Sequence, residues 1–220
     1  MAGGMGDLAN GPEDRGAAGP AVDGGGSVGH RRVLVISGPS GSGKSTIVDL
    51  LVDLARGNLT KAVSATTRDP RPGEVDGEDY YFLSHDEFEA RRRAGDFVET
   101  AEVHGVGEWY GTLASEIDRA ADEGAWAILE IDVQGALTVI ERFPDALSVF
   151  VRAPSVEDHE RRLRGRATES EEVIQQRVRT AAAELELGDR YRFQVVNDNL
   201  ERTVEEIMGI LSNWEAEDRA

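Results

Sequence analysis

The chain has no cysteine among its 220 residues, which excludes disulfide staples and thiolate metal sites and is compatible with a reducing cytosol. No apolar run approaches the roughly 18 residues of a membrane-spanning helix. The first thirty residues lack both the charged start and the apolar stretch of a secretory signal. Positive charge is scarce as well: 24 Lys and Arg stand against 42 Asp and Glu, for a net charge of -18. Such a balance disfavours DNA, RNA and anionic membranes as partners. Any phosphate the protein binds must therefore be caught by a local cluster of cations. There is no internal repeat. The expectation is a soluble, cytoplasmic protein with small-molecule substrates and no nucleic-acid or membrane partner, working as a monomer or small homo-oligomer.

Large apolar side chains are nearly missing from residues 1–29, a Gly/Ala/Pro-rich stretch that would lose entropy on ordering with no burial to offset it. It is read as a disordered tail. Its four acids and one arginine carry -3 of the charge and leave -15 on the remainder, so the acidity belongs to the folded part, 30–214. From Arg31 onward the pattern changes. Val33 to Ile36 is a short β-branched run closed by glycine, and an apolar-periodic stretch follows from Ser45 to Ala55. Further buried strands are expected at Ala125–Ile131, Ala146–Val151 and Phe193–Val196, each followed by helix-compatible sequence. Strands alternating with helices predict an α/β fold, a parallel sheet covered on both faces. The core is placed at 30–65 and 112–214. Between them, 66–111 is dense in Gly, Pro, Tyr, Arg and acids and is read as an inserted substrate lobe. Residues 155–187 are charged and helical in period, interrupted at Arg164-Gly165-Arg166, which suggests a helical hairpin serving as a lid.

The strongest motif is Gly38-Pro39-Ser40-Gly41-Ser42-Gly43-Lys44-Ser45, which fits G-x-x-x-x-G-K-[ST] between a buried strand and a helix. Small residues let successive N–H groups curl around a phosphate, the helix N-terminus adds partial positive charge, and Lys44 adds a full one. The Ser45 hydroxyl is expected to hold Mg2+, with Thr46 next to it at the ATP phosphates. A turn that merely started a helix would not need that lysine. The motif does not say which nucleotide is bound or where its phosphate goes. A second signal lies at Glu130 and Asp132, alternating acids at the end of an apolar strand, where doubly wound folds bind ligands. Either could orient Mg2+-bound water, and strand-end solubility is the alternative.

The segment Ser64-Ala-Thr-Thr-Arg68-Asp-Pro-Arg71-Pro-Gly-Glu74, followed by Gly77-Glu-Asp-Tyr80-Tyr-Phe82, concentrates arginine forks and tyrosine in one stiffened turn. Those groups suit a terminal phosphate. It resembles the nucleoside-monophosphate lobe of guanylate kinases, and the resemblance runs from about Arg31 to Trp214, taking in Leu129-Glu-Ile-Asp-Val-Gln-Gly135, the lid arginines and Val196-Asn197-Asp198. It implies a P-loop-type kinase in which Arg68, Arg71, Tyr80 and Tyr110 grip the GMP phosphate. It further implies that Ser64, Glu99, Thr112 and Asp132 address the guanine, and that Asn197 lies near the adenine end of the ATP site.

Physics supports a carboxylate for guanine: the base offers two adjacent donors, N1–H and N2–H2, and an ionised carboxylate accepts both. Adenine would set an acceptor nitrogen against it. Glu99 fits, with Glu102 as the rival because the segment before Tyr110 is two residues longer than the family pattern and has Trp109 in place of a tyrosine. His104 is read as a loop residue. Ala167 stands where many members have glycine, and Glu130 where many have aspartate. Phosphoryl transfer depends on positioning and on cations, so Lys44, Arg68, Arg162, Arg166 and Arg177 are the expected catalytic set. The bland alternative for the lid arginines is a solvated helix face paired with Glu169, Glu171 and Glu172. The function expected is ATP-dependent phosphorylation of GMP. The alternatives weighed are a non-catalytic binding module, disfavoured by the intact Gly43, Lys44 and Ser45, and a kinase for another phosphorylated acceptor.

Overall fold

The computed structural model describes residues 32–102, 107–165 and 171–218. The 1–29 tail, His104, Arg166 and Ala167 lie outside the described residues. Two sheets organise the molecule. The larger is parallel throughout, with strand order β2-β7-β1-β8-β9, built from β1 (Val33–Ser37), β2 (Leu59–Lys61), β7 (Trp126–Glu130), β8 (Leu147–Arg152) and β9 (Phe193–Val196). β1 lies at the centre because all five of its residues are apolar or small enough to be buried on both faces. Its side chains alternate between two cores. Leu34 and Ile36 pack with Ile47, Val48 and Leu51 of α1 (Lys44–Ala55) and with Val204, Ile207 and Leu211 of α7 (Leu200–Asp218). Val33 and Val35 pack on the other face with Ile117 and Ala120 of α3 (Ala114–Asp122) and with Val133, Ala136 and Val139 of α4 (Val133–Arg142). The edge strand β2 was not expected: three residues give no periodicity to read, and two of them are only half-buried.

The smaller sheet has the order β4-β3-β6-β5, formed by β3 (Ser64–Thr66), β4 (Tyr81–Phe82), β5 (Phe97–Glu102) and β6 (Trp109–Leu113). It reaches past the expected 66–111 on either side, because Ser64 and Thr112 are paired residues of adjoining strands. It has a core of its own in Ala65, Phe88, Phe97 and Leu113. Phe88 comes from α2 (His85–Ala94), which a Ser84–Glu87 capping box starts and Gly95 ends. Glu116, 4% exposed on α3, joins the two sheets: its carboxylate accepts from Val63 N at 2.9 Å, Tyr81 Oη at 2.9 Å and Arg119 at 2.6 Å. α5 (Val156–Arg164) and α6 (Glu171–Leu185) pack against one another beside the large sheet. At the opposite end, Trp126 Nε1 donates to Glu215 at 2.7 Å and Arg192 stacks on Trp214, tying α7 down. No described helix is long and apolar enough to cross a membrane.

Candidate active site

The glycine-rich loop joins the C-terminal end of β1 to the first turn of α1. Gly43 caps that helix at φ 96°, and a Cβ there would lie 2.4 Å from Asn197 Nδ2, so both the backbone and the neighbour require glycine. Asn197 is 7% exposed, and its amide donates to the Ser42 carbonyl at 2.8 Å. It thus braces the phosphate loop from behind. Arg162 of α5 continues the brace, donating to the Asn197 carbonyl at 2.8 Å and reaching the Ser42 carbonyl at 3.5 Å. Lys44 Nζ donates to the carbonyls of Gly38 at 2.7 Å and Pro39 at 3.1 Å. A cation held over the loop on carbonyls is already close to where a polyphosphate would sit.

Ser45 follows, and its hydroxyl donates to Glu130 Oε1 at 2.5 Å, across 85 residues of sequence, because β1 and β7 are neighbours in register. The other carboxylate oxygen lies 3.4 Å from Lys61 Nζ. Among the described residues no group of three His, Cys, Asp or Glu could form a metal cage. One hydroxyl and one carboxylate beside a phosphate-binding loop nevertheless fit Mg2+, which keeps most of its waters and takes its other oxygens from the substrate. Asp132 has a different partner from Glu130: it caps α4, accepting from Gly135 N at 2.7 Å.

The smaller sheet carries the second half of the site. β5 and β6 pair Glu99 with Thr112, and β3 brings Ser64 opposite Thr112 from the other side. Glu99 is 5% exposed and accepts from Thr112 Oγ1 at 2.8 Å. A Cβ on Gly135 would be 2.5 Å from its Oε2, so α4 can press against this carboxylate only through a glycine. Burial pushes the Glu99 carboxyl up to about 7, Thr112 opposes the shift, and Asp132 adds to it. Glu102 is exposed and accepts from Gly107 N at 3.0 Å. Of the two rivals, only Glu99 is buried against the other expected guanine contacts.

Arg68 is held more tightly than its sequence suggests. Glu74 takes it bidentately at 2.7 and 2.9 Å, Asp69 O accepts at 2.7 Å and Tyr110 Oη at 3.2 Å, so four of its five N–H donors are engaged. The guanidinium also lies 5.2 Å from the Tyr80 ring centroid, and Tyr80 meets Tyr110 edge to face at 5.9 Å. Glu74 also accepts from Arg71 N at 2.7 Å, and the Arg68 guanidinium holds its carboxyl down at about 2. Arg71 is exposed, and its charge also helps hold the Glu74 carboxyl down. Arg68 is therefore a fixed post with one donor to spare, and Arg71 an exposed fork beside it.

Two contributors were not singled out from the sequence. Glu74 is the hub of the arginine turn; the signal was present as a carboxylate three residues after Arg71 in a proline-stiffened segment. Glu184, on α6, sits among charges of the cleft: burial pushes its carboxyl up to about 7, Lys44 pulls it down and Asp132 pushes it up. In sequence it looks like one more acid on a charged helix. Arg177 is half-buried on α6, and Arg166 lies outside the described residues.

A loop shaped to wrap a polyphosphate at the strand ends of a parallel sheet, with a second cationic place on an inserted lobe, defines a nucleotide-binding protein of the P-loop class. A family model described as guanylate kinase matches residues 30–214. The guanylate kinase of Rhodopirellula baltica is 49% identical over 181 residues, covering 82% of this chain and 87% of that protein. That of Rubrobacter xylanophilus is 50% identical over 180 residues, covering 82% of this chain and 93% of its own length. Among solved structures, guanylate kinase from Anaplasma phagocytophilum superposes with a TM-score of 0.66 at 34% identity, covering 83% of this chain and 85% of that one. The chain belongs to the guanylate kinase family.

Proposed function

We propose that the protein transfers the γ-phosphoryl group of ATP to GMP, giving ADP and GDP, with dGMP as a second acceptor. The observation that carries the acceptor is the buried Glu99 carboxylate with Thr112 beside it: ionised, it accepts from guanine N1–H and N2–H2 together, and adenine would leave it facing a lone pair. Ser64 and Asp132 border the same base. Arg71, Tyr80, Tyr110 and the remaining donor of Arg68 take the GMP phosphate.

On the donor side the loop from Gly38 to Thr46 wraps the triphosphate, and Lys44 exchanges its carbonyl partners for phosphate oxygens. Ser45 and Glu130 would hold Mg2+, which when bound neutralises charge on the β- and γ-phosphates. An oxygen of the GMP phosphate attacks the γ-phosphorus, the bond from that phosphorus to the β–γ bridging oxygen breaks, and ADP leaves with the bridging oxygen. Little proton transfer is needed, so the residues contribute alignment and positive charge. Arg162, Arg166 and Arg177 supply that charge from the α5–α6 lid, whose closure would keep water from taking the phosphoryl group. We place the enzyme in the cytoplasm, in GMP recycling.

The test is a coupled ADP-release assay with ATP and Mg2+ that compares GMP, AMP, UMP, CMP and dTMP, with Lys44→Ala as the blank. GMP-selective turnover that disappears in the variant is expected. Turnover with none of the five despite GMP binding would indicate a binding module or another acceptor.

A further inference from the structure

Glu99 faces the site only because its strand is irregular. In an unbroken strand, residues two apart face the same side, so Glu99 would follow Phe97 into the core of the smaller sheet, where Phe97 stacks on Phe88 at 4.5 Å. The pairing with β6 is different. Phe97 lies opposite Leu113 and Glu99 opposite Thr112, and because those partners are consecutive on β6 they face opposite sides. The register shifts between Phe97 and Glu99, a β-bulge in which Val98 is the extra residue. Phe97 accordingly packs with Ala65, Phe88 and Leu113, whereas Val98 joins the core of the larger sheet and Glu99 meets Thr112 Oγ1 and the backbone at Gly135. Bulges beside functional sites re-aim side chains in this way. This one lies on β5, the edge of its sheet among the described residues, so no further strand holds its outer side.

What lies beside the bulge is α4. Arg142, in the last turn of that helix, donates through Nη1 to the carbonyl of Phe97 at 3.0 Å and to that of Val98 at 3.1 Å. Gly135, Val139 and Arg142 recur at helical spacing and share one face of α4. The glycine lies against the Glu99 carboxylate, the valine belongs to the cluster that holds Val98, and the arginine takes the bulge carbonyls. We propose that Arg142 is a positioning residue for base recognition: by holding the Phe97 and Val98 carbonyls it keeps the bulge that turns Glu99 out of the lobe core and toward the acceptor base. The inference rests on the reading of Glu99 as the group that accepts from guanine. Arg142 itself acts only through the backbone of β5. It is exposed over most of its side chain, so replacing it opens no cavity in either core.

The experiment compares kcat/KM for GMP with that for IMP, whose base keeps N1–H and lacks the 2-amino group, in the full chain and in its Arg142→Met and Arg142→Lys variants. KM for ATP is recorded alongside. A well-aimed carboxylate gains from the second donor, and a misdirected one does not. In Arg142→Met the preference for GMP over IMP is expected to fall about tenfold with KM for ATP level. Arg142→Lys, which keeps a cationic donor at the end of α4, should recover part of the preference. An unchanged preference, an equal drop for the two nucleotides, or the same loss in the lysine variant as in the methionine variant would overturn the role of Arg142 while leaving that of Glu99 standing. An unaltered chain that does not prefer GMP to IMP would overturn the reading of Glu99, and this inference with it.

Discussion

In the function proposed above, Glu99 ties recognition to pH. Its carboxyl in the GMP-free protein is pushed up to about 7 by burial, above the ordinary value of 4.5, so the fold favours its neutral form. The ligand-free protein therefore loses stability as pH rises from about 4.5 through 7, and guanine, which needs the ionised form, offsets that loss. From pH 8 down to pH 6 the ionised fraction falls about tenfold. KM for GMP should rise by about that factor over the same range, beyond the change seen in Glu99→Gln, while KM for ATP stays level; parallel profiles in the two proteins would remove the carboxyl from recognition. Glu74 acts through another residue. Glu74→Ala leaves the Arg68 fork unheld, and misplacement of that kind should raise KM for GMP about tenfold without affecting KM for ATP. A lower KM would instead mean that Glu74 competes with the phosphate for Arg68. At this scale the sequence was readable where contacts are local: the loop motif lies within eight residues, and the arginine turn within seven. It was silent on Glu74 as a hub and on the burial of Glu99, because both depend on how a turn or a neighbouring helix folds back.

Among the elements, the four longer strands of the large sheet were legible because each is a β-branched or apolar run followed by a helix, whereas β2 is too short to have a pattern. The lobe strands at Tyr81–Phe82 and Phe97–Glu102 carry only a weak pattern in sequence, since half of their residues face solvent or site. What no periodicity could indicate is the joint between sheets. Glu116 sits there with three partners, on the chain's way into the lobe at Val63 and just after its way out at Leu113. Glu116→Ala leaves the half-buried Val63 N–H and Tyr81 hydroxyl without their acceptor and should cost about 2 kcal/mol in urea unfolding. It should also loosen GMP binding more than ATP binding. Equal loss for both substrates would make Glu116 a general stability residue and not a joint.

For the molecule as a whole, a net charge of -18 is compatible with two anionic substrates because Lys44, Arg68 and Arg71 set positive charge locally, in the loop and the arginine turn. Composition alone therefore pointed away from nucleic acids but could not point toward nucleotides; the clustering did. The larger sheet has helices over both faces and two cores, and the smaller one relies on four buried residues and a single capped helix. Unequal cores imply unequal opening rates. In deuterium exchange, amides of β3, β5 and β6 should be labelled well before those of β1, β7 and β8, and GMP should slow the first group while barely affecting the second. Uniform labelling of both sheets would show one cooperative unit. With the lobe labelled first, the crossings at Val63 and Leu113 act as a fuse between compartments of the same chain: the lobe melts and re-forms at each encounter with its substrate while the nucleotide-triphosphate platform stays intact.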